Sequence, residues 1–348
     1  MRPFPLARFG IRALQTWRGR LSRPYKLTFS VTERCNLRCR WCNIWRSDGE
    51  GELGLDEIDR FFAANAAFAW VDLTGGEITL RPDILEITHS ASERLPHLFQ
   101  FHFPTNGTMP LRVEAVVETA LRAQIPKVVV SVSIDGPPEL HDTLRGRPGT
   151  WEHAVETYGR VRRIGGEAYF GMTISHDNLK ALSPTMEALA ARVPGFTPRD
   201  LHLNIAHSTF YYGSPQLPAL PQETVDTLAG FMKARGFPKN PVLLLEMLYQ
   251  RKVGAYLSTH RSPVPCQALS SSLFVDARGS VFPCTSYDLR LGNLREMNYC
   301  LEKLWTAPET AALAHDIRHG TCPGCWTPCE AYQSIIANLA RPSTWRAA

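Results

Sequence analysis

At 348 residues, with 44% hydrophobic and 20% charged side chains, the chain can fill the core of one large domain and a smaller one, which excludes a lone small module. No apolar run approaches the roughly 18 residues that a spanning helix needs. The net charge of +5 is mild and gathers in Arg2, Arg8, Arg12, Arg18, Arg20 and Arg23, so the folded region offers no basic stripe for nucleic acid.

Residues 1–24 interleave those arginines with Phe4, Leu6, Phe9, Ile11, Leu14, Trp17 and Leu21, the makings of an amphipathic helix. A leading helix packed on the protein body is the favoured expectation, and a peripheral membrane contact the second. A signal peptide is not expected, because arginines interrupt any apolar stretch.

From Lys26 to His207 β-rich runs alternate with helical patterns six times: Lys26 to Thr32, Trp70 to Thr74, Leu98 to Phe103, Lys127 to Asp135, Glu167 to Ser175 and Leu201 to Ala206. Helical spacing fills the intervals, as in Asp56 to Phe68, Pro110 to Gln124, Trp151 to Ile164 and Asn178 to Arg192. Repeated β then α predicts a parallel sheet with right-handed crossovers, in an α/β fold with a partial (β/α)6 TIM-like barrel over residues 25–212. Within the strands Thr28, Ser30 and Thr32, Asp72 and Thr74, Ser131, Ser133 and Asp135, Thr173 and Ser175, and His202 and Asn204 alternate with apolar neighbours. Helices cover one face of each strand and require it apolar, so the polar set points inward. That predicts a wet or ligand-filled lumen, against the alternative of polar groups satisfied by one another.

Residues 213–262 are proline-rich and read as a connector with helical stretches near Thr224 to Lys233 and Pro241 to Leu257. Residues 263–348 read as a small α+β domain with a hairpin from Leu273 to Cys284, turning near Arg278-Gly279. The odd count of nine cysteines and the absence of a secretory signal favour metal ligation in the cytoplasm over disulfides.

Cys35, Cys39 and Cys42 follow directly after the first strand, where a barrel of this kind carries its working loops. Three thiolates can hold three irons of a four-iron cluster and leave one iron open. A closed zinc site would want a fourth ligand, and none lies nearby in sequence. This C-x3-C-x-aromatic-C pattern, with Trp41 as the aromatic, resembles the radical S-adenosylmethionine (SAM) superfamily. The resemblance implies a [4Fe-4S] cluster that binds SAM, with Trp41 near the adenine. Gly75, Gly76 and Glu77 resemble the family's GGE motif, with Glu77 accepting from the SAM ammonium. Asn106 belongs to a TNG element, Ser133 and Arg145 would contact SAM, and Asp135 would face SAM or substrate as the candidate catalytic residue.

Cys266 and Cys284 frame a C-x9-15-G-x4-C element, followed by Cys322, Cys325 and Cys329. The set resembles the SPASM and Twitch domains that hold auxiliary clusters, in contracted form. Five thiolates suffice for one auxiliary [4Fe-4S] cluster, and the resemblance implies Cys266, Cys284 and two of the last three, with Cys322 and Cys325 preferred. A zinc ribbon is the competing reading, and Cys300 reads as an apolar packing residue. A SAM-cleaving enzyme is therefore expected, served by a low-potential electron donor of the flavodoxin or ferredoxin type. Its substrate would be a small sugar, aminocyclitol or lipid precursor, or a peptide. An iron-sulfur electron-transfer or scaffold protein is the alternative.

Overall fold

In the computed structural model, which describes residues 5–214, 218, 220, 221 and 223–339, the alternating runs become six parallel strands. These are β1 (Lys26–Thr32), β2 (Trp70–Gly75), β3 (Gln100–Thr105), β4 (Lys127–Ser133), β5 (Glu167–Ile174) and β6 (Leu201–Ile205). Period two decides their faces. Phe29, Phe101, Phe103, Val130, Val132, Phe170 and Leu203 join the apolar core against the outer helices. The alternating partners on β3 to β6, including His102, Ser131, Tyr169 and His202, stay half-buried on the lumen side.

The outer layer consists of α2 (Leu55–Ala64), α3 (Ile84–Arg94), α4 (Pro110–Arg122), α5 (Pro138–Arg145), α6 (Thr150–Arg163) and α7 (Leu182–Arg192), after the N-terminal α1 (Pro5–Gln15). Several boundaries differ from the sequence expectation, α2 ending at Ala64 rather than Phe68 and α7 beginning at Leu182 rather than Asn178, and two strands differ for a visible reason. β3 begins at Gln100 because Leu98 closes a turn on Leu95 at 2.9 Å. β4 ends at Ser133 because the backbone of Asp135 turns away to bond His141 and Asn178.

The expected hairpin is present, with β7 (Ser272–Val275) antiparallel to β8 (Ser280–Phe282). Gly279 takes φ +83° in its turn, and the Asp276 carboxylate accepts from the amides of Arg278 and Ser280 at 2.9 and 2.7 Å. β7 pairs parallel with β1, Lys26 opposite Ser272, and β9 (Gly292–Asn293) follows β8. The C-terminal hairpin thus extends the barrel sheet into one nine-stranded order, β6-β5-β4-β3-β2-β1-β7-β8-β9, that does not close. An unpaired β1 edge would leave a row of orphaned amides and carbonyls, and β7 takes them up.

The remaining helices are α8 (Glu223–Arg235), α9 (Pro241–Arg251), α10 (Val253–Thr259), α11 (Glu302–Thr306), α12 (Pro308–His319) and α13 (Pro328–Asn338). On α1, Phe9 stacks 4.9 Å from Phe99 and lies 5.8 Å from Tyr25 and 6.2 Å from Trp70. Those three rings stand at or just before strand starts, so α1 covers the end of the barrel opposite the cysteine loop. Arg12 donates to the Ala67 carbonyl and Trp17 Nε1 to that of Ile336, the latter at 2.8 Å. The side chains of Phe4, Leu6 and Leu14 lie outside the described residues. No helix among the described residues is long and apolar enough to cross a membrane.

Glu57 ties α2 to the C-terminal module. Its carboxylate accepts from Arg295 Nε at 2.7 Å and Nη2 at 2.9 Å, and from the Tyr299 hydroxyl at 2.8 Å. Hydrogen bonds from Arg295 outweigh burial and hold the Glu57 carboxyl at about 2, below its ordinary 4.5. A depressed carboxyl stabilises the fold above its unfolded value and loses that contribution as pH falls toward the folded one. Glu57→Gln is therefore expected to melt below the parent protein at neutral pH. The gap should narrow from about pH 4.5 and vanish near pH 2, as followed by circular dichroism; a gap that does not change with pH contradicts the assignment.

Candidate active site

The loop after β1 that carries Cys35, Cys39 and Cys42 is fixed by backbone contacts on two sides. The amides of Arg38 and Arg40 donate to the carbonyls of Arg145 and Leu144 at 3.3 and 3.0 Å. Those carbonyls sit in the last turn of α5, where no intrahelical donor remains for them. Gly146 ends α5 at φ +71°, and a Cβ there would stand 2.9 Å from the Arg38 carbonyl oxygen.

On the other side lies the Gly75-Gly76 turn. The Gly76 amide donates to Thr32 O and that of Glu77 to Arg34 O, both at 2.8 Å. A Cβ on Gly75 would lie 1.9 Å from Thr32 O, and one on Gly76 would lie 2.1 Å from Arg34 O. The two glycines are therefore what lets β2 end against the cysteine loop.

Glu77 is buried, and its carboxylate already accepts from Thr79, Thr105 and the Asn106 amide, the last at 2.7 Å. Burial raises its pKa against those bonds. It acts here as a tether between the loops after β2 and β3. The Asn106 side chain donates to Asn36 Oδ1 at 2.9 Å, which ties the TNG turn to the cysteine loop.

Arg145 lies between the loop and the barrel. Its Nη1 donates toward Cys39 Sγ at 3.6 Å, its guanidinium sits 5.8 Å from the Trp41 ring, and Nη2 pairs with Asp135. Burial opposes the charge on Arg145, but Asp135 and then Cys39 outweigh it and hold the guanidinium protonated. Asp135, expected to carry the catalysis, is fully buried and also accepts from the Thr173 amide at 3.0 Å. It stands behind Arg145, paired with that guanidinium. His141 accepts from the Asp135 amide at 3.0 Å and is kept neutral, its pKa pulled to about 3 by burial and then by Arg145. Ser133 stands half-buried on the lumen side at the end of β4.

Two lumen regions differ. The polar residues of β1 and β2 are buried, under a segment after β6 that sequence reasoning missed. There Tyr211 OH bonds Ser30, Tyr212 OH lies 2.9 Å from Thr74 Oγ1, and the Tyr212 carbonyl accepts from the Asn43 amide at 2.9 Å. Along β3 to β6 the inward residues remain half-buried. The expected polar lumen is thus buried on one side, where Tyr211 and Tyr212 bond Ser30 and Thr74 but Thr28 Oγ1 keeps no partner among the described residues, and half-buried on the other. Lys26, fully buried, joins Asp72 at 3.0 Å and the Cys329 carbonyl, and ties the sheet to α13.

All nine cysteines are free thiols. Cys266 is in electrostatic reach of Cys322 and Cys325, and Cys284 of Cys266 and Cys325. Cys329 lies in electrostatic reach of Lys26, Asp72, Glu330 and Cys325. Cys266 and Cys322 line one recess together with Arg261 and Gly324.

A profile described as the radical SAM superfamily matches residues 29–189, and one described as an iron-sulfur cluster-binding (SPASM) domain matches residues 266–326. The chain belongs to the radical SAM superfamily. This radical SAM enzyme is 26% identical over 327 residues to an AdoMet-dependent heme synthase of Methanosarcina barkeri, across 87% of this chain and 88% of that protein. It is 23% identical to the subtilosin biosynthesis protein AlbA of Bacillus subtilis, across 87% and 67%. The fold matches Streptococcus suis SuiB bound to the precursor peptide SuiA, with TM-score 0.61 at 14% identity over 88% of this chain and 70% of that one. It also matches AdoMet-bound anSMEcpe, with TM-score 0.56 at 17% identity over 91% and 98%. Enzyme names among the relatives do not favour the electron-transfer or scaffold reading.

The radical SAM and SPASM domains imply SAM and [4Fe-4S] clusters as cofactors; the free thiols present are of the right donor type, and among the described residues no three ligating side chains stand at metal-holding distance from one another. Burial pushes the thiols of Cys35 and Cys42 up to about 12 and about 11. Such thiols become thiolates when a metal supplies the compensating charge. Arg145 Nε, buried at the same site, has no partner, and a guanidinium edge of this kind suits a carboxylate.

Proposed function

We propose that this chain binds its SAM-cleaving cluster through Cys35, Cys39 and Cys42 and acts on a polar substrate seated in the open half of the lumen. Bound there, a [4Fe-4S] cluster with SAM supplies reductive cleavage to a 5'-deoxyadenosyl radical, which takes hydrogen from the substrate. The residues of the chain set the stage. Arg145 presents its free Nε to the SAM carboxylate, and Asp135 and the Arg38 and Arg40 amides hold α5 and the loop in register. Trp41 lies beside Arg145 for the adenine, and Ser133 and Asn106 line the approach. The observation that carries the reading is the three-cysteine loop held between the last turn of α5 and the Gly75-Gly76 turn.

A small polar molecule is the first substrate class, in keeping with the half-buried inward side chains of β3 to β6. A peptide is the second, and likeness to AlbA and to the sporulation killing factor maturation protein SkfB of Bacillus subtilis supports it. The test is anaerobic reconstitution with dithionite and SAM, offering deuterated sugars, aminocyclitols and peptides in turn. 5'-Deoxyadenosine should form, and should acquire deuterium from the true substrate class. A fully iron-loaded chain that forms no 5'-deoxyadenosine overturns the reading.

The same proposal assigns one auxiliary cluster to Cys266, Cys284, Cys322 and Cys325, and leaves Cys329 outside it. Iron per chain is expected at about eight, from two four-iron clusters. Changing any of the four to Ser should lower it to about four, while Cys329→Ser keeps about eight. An inverted result, with Cys329 needed and Cys322 or Cys325 dispensable, contradicts the assignment.

A further inference from the structure

The middle layer of the lumen carries chemistry that the cysteine loops do not use. His102 on β3 places Nδ1 3.1 Å from Asp72 Oδ1 on β2 and Nε2 2.9 Å from Ser131 Oγ on β4. Asp72 also accepts from Trp70 Nε1 at 2.6 Å and pairs with the buried Lys26 ammonium at 3.0 Å. Burial pushes the Asp72 carboxyl up, but Lys26 and then His102 more than reverse this and hold it at about 2. An anion at that position selects the tautomer with the proton on Nδ1. His102 Nε2 is then an acceptor, and the Ser131 hydroxyl donates to it.

A second imidazole stands on β6 beside another buried carboxylate, without a hydrogen bond to it. His202 on β6 stacks 4.2 Å from the Tyr169 ring, and its Nδ1 edge faces Glu246 Oε2 at 4.0 Å. Glu246 is itself held by Tyr332, by Gln250 at 3.0 Å and by the Leu203 amide at 3.2 Å, with Arg235 3.5 Å away. Burial draws the His202 pKa to about 4, so the ring is neutral, and a charge on His102 would lower it further. The two rings therefore lie within electrostatic reach. His202 Nε2 is shielded from solvent and has no partner, an unmet polar group of the kind that a buried site rarely leaves empty.

We propose that His102 and His202 form a paired acceptor site for a hydroxyl or amine group of the substrate, and that His102 Nε2 takes the proton of that group. The X–H bond breaks with its electron pair left on X, an Nε2–H bond forms and stays hydrogen-bonded to the anionic X, and Asp72 balances the new imidazolium charge. Ser131 occupies the acceptor until the substrate displaces it. The layer lies one step along β2 from Thr74, which Tyr212 covers, and one step from Trp70, which pairs with Lys26 on β1. Its part in turnover rests on the radical reading above; its binding chemistry does not.

The test uses the full, reconstituted and oxidised chain labelled with 15N-histidine, with ethanolamine as a probe that carries both donor types. Long-range proton–nitrogen spectra are assigned by the signals lost in His102→Gln and His202→Gln. Both rings should show the Nδ1–H tautomer, and ethanolamine should shift both Nε2 resonances saturably. Ser131→Ala, which removes the competing hydroxyl, should tighten the response at His102 by about threefold to tenfold. An Nε2–H tautomer at either ring, resonances unmoved by the probe, or a Ser131→Ala response no tighter than the parent overturns the proposal. Failure of the unaltered chain to form 5'-deoxyadenosine would instead sink the radical reading and leave these signals as they are, so the two failures are distinguishable.

Discussion

Gly76→Ala is expected to lower 5'-deoxyadenosine formation by at least about a hundredfold, although Gly76 presents no side chain to any ligand. An ideal Cβ at this position stands 2.1 Å from Arg34 O, 2.5 Å from the carbonyl carbon and 2.8 Å from Glu33 O. All three are backbone atoms of the segment that leads into Cys35, and none can rotate aside as the tip of a flexible side chain could. Relief requires the cysteine loop to shift. A displacement of about 1 Å at a reacting centre is enough for a hundredfold loss, and the overpacking itself costs about 1–3 kcal/mol. Gly230→Ala in α8, where a Cβ meets nothing within 4 Å, is the control and should leave both rate and stability near the parent values. Full iron content and an unchanged rate in Gly76→Ala would show that the loop does not depend on the glycine turn.

Arg145→Leu is expected to be the most destabilising single change at the site. It removes the partner of Asp135, which is fully buried, and an uncompensated buried charge costs about 3–5 kcal/mol. The same change frees the Leu144 and Arg145 carbonyls from a well-positioned α5 and so loosens the loop amides of Arg38 and Arg40. Urea unfolding of the single variant should show that loss. The double change Arg145→Leu with Asp135→Asn should recover part of the stability, because it removes the stranded charge, and should recover none of the SAM cleavage. Recovery of both would mean that Arg145 serves the fold alone.

Much of the site was legible because its motifs are local. The cysteine spacing, the Gly75-Gly76 turn and the Asn106-Gly107 turn each follow from short-range geometry, and the structure brings all three together around Glu77 and Asn36. The period-two pattern of the strands likewise separated core from lumen. The same rule puts His102 on the lumen face, since Gln100 and His102 alternate with Phe101 and Phe103, but no local signal pairs it with Asp72 and Ser131.

What sequence could not supply was partnership between distant side chains. The sequence points Asp135 and Arg145 each toward a ligand, and the fold in addition pairs them with one another, so that neither buried charge is left without a partner. The parallel pairing of β7 with β1 joins residues some 245 positions apart, and no local signal announces it. The same holds for Tyr212, the last residue of the expected barrel span, which reaches the lumen from the loop after β6.

The most direct measurement of the central claim is 5'-deoxyadenosine formation by the variant in which Cys35, Cys39 and Cys42 are all alanine, reconstituted anaerobically and supplied with dithionite and SAM. No 5'-deoxyadenosine should form, while iron falls from about eight to about four per chain as the auxiliary cluster remains. Continued formation of 5'-deoxyadenosine by this variant would contradict the account.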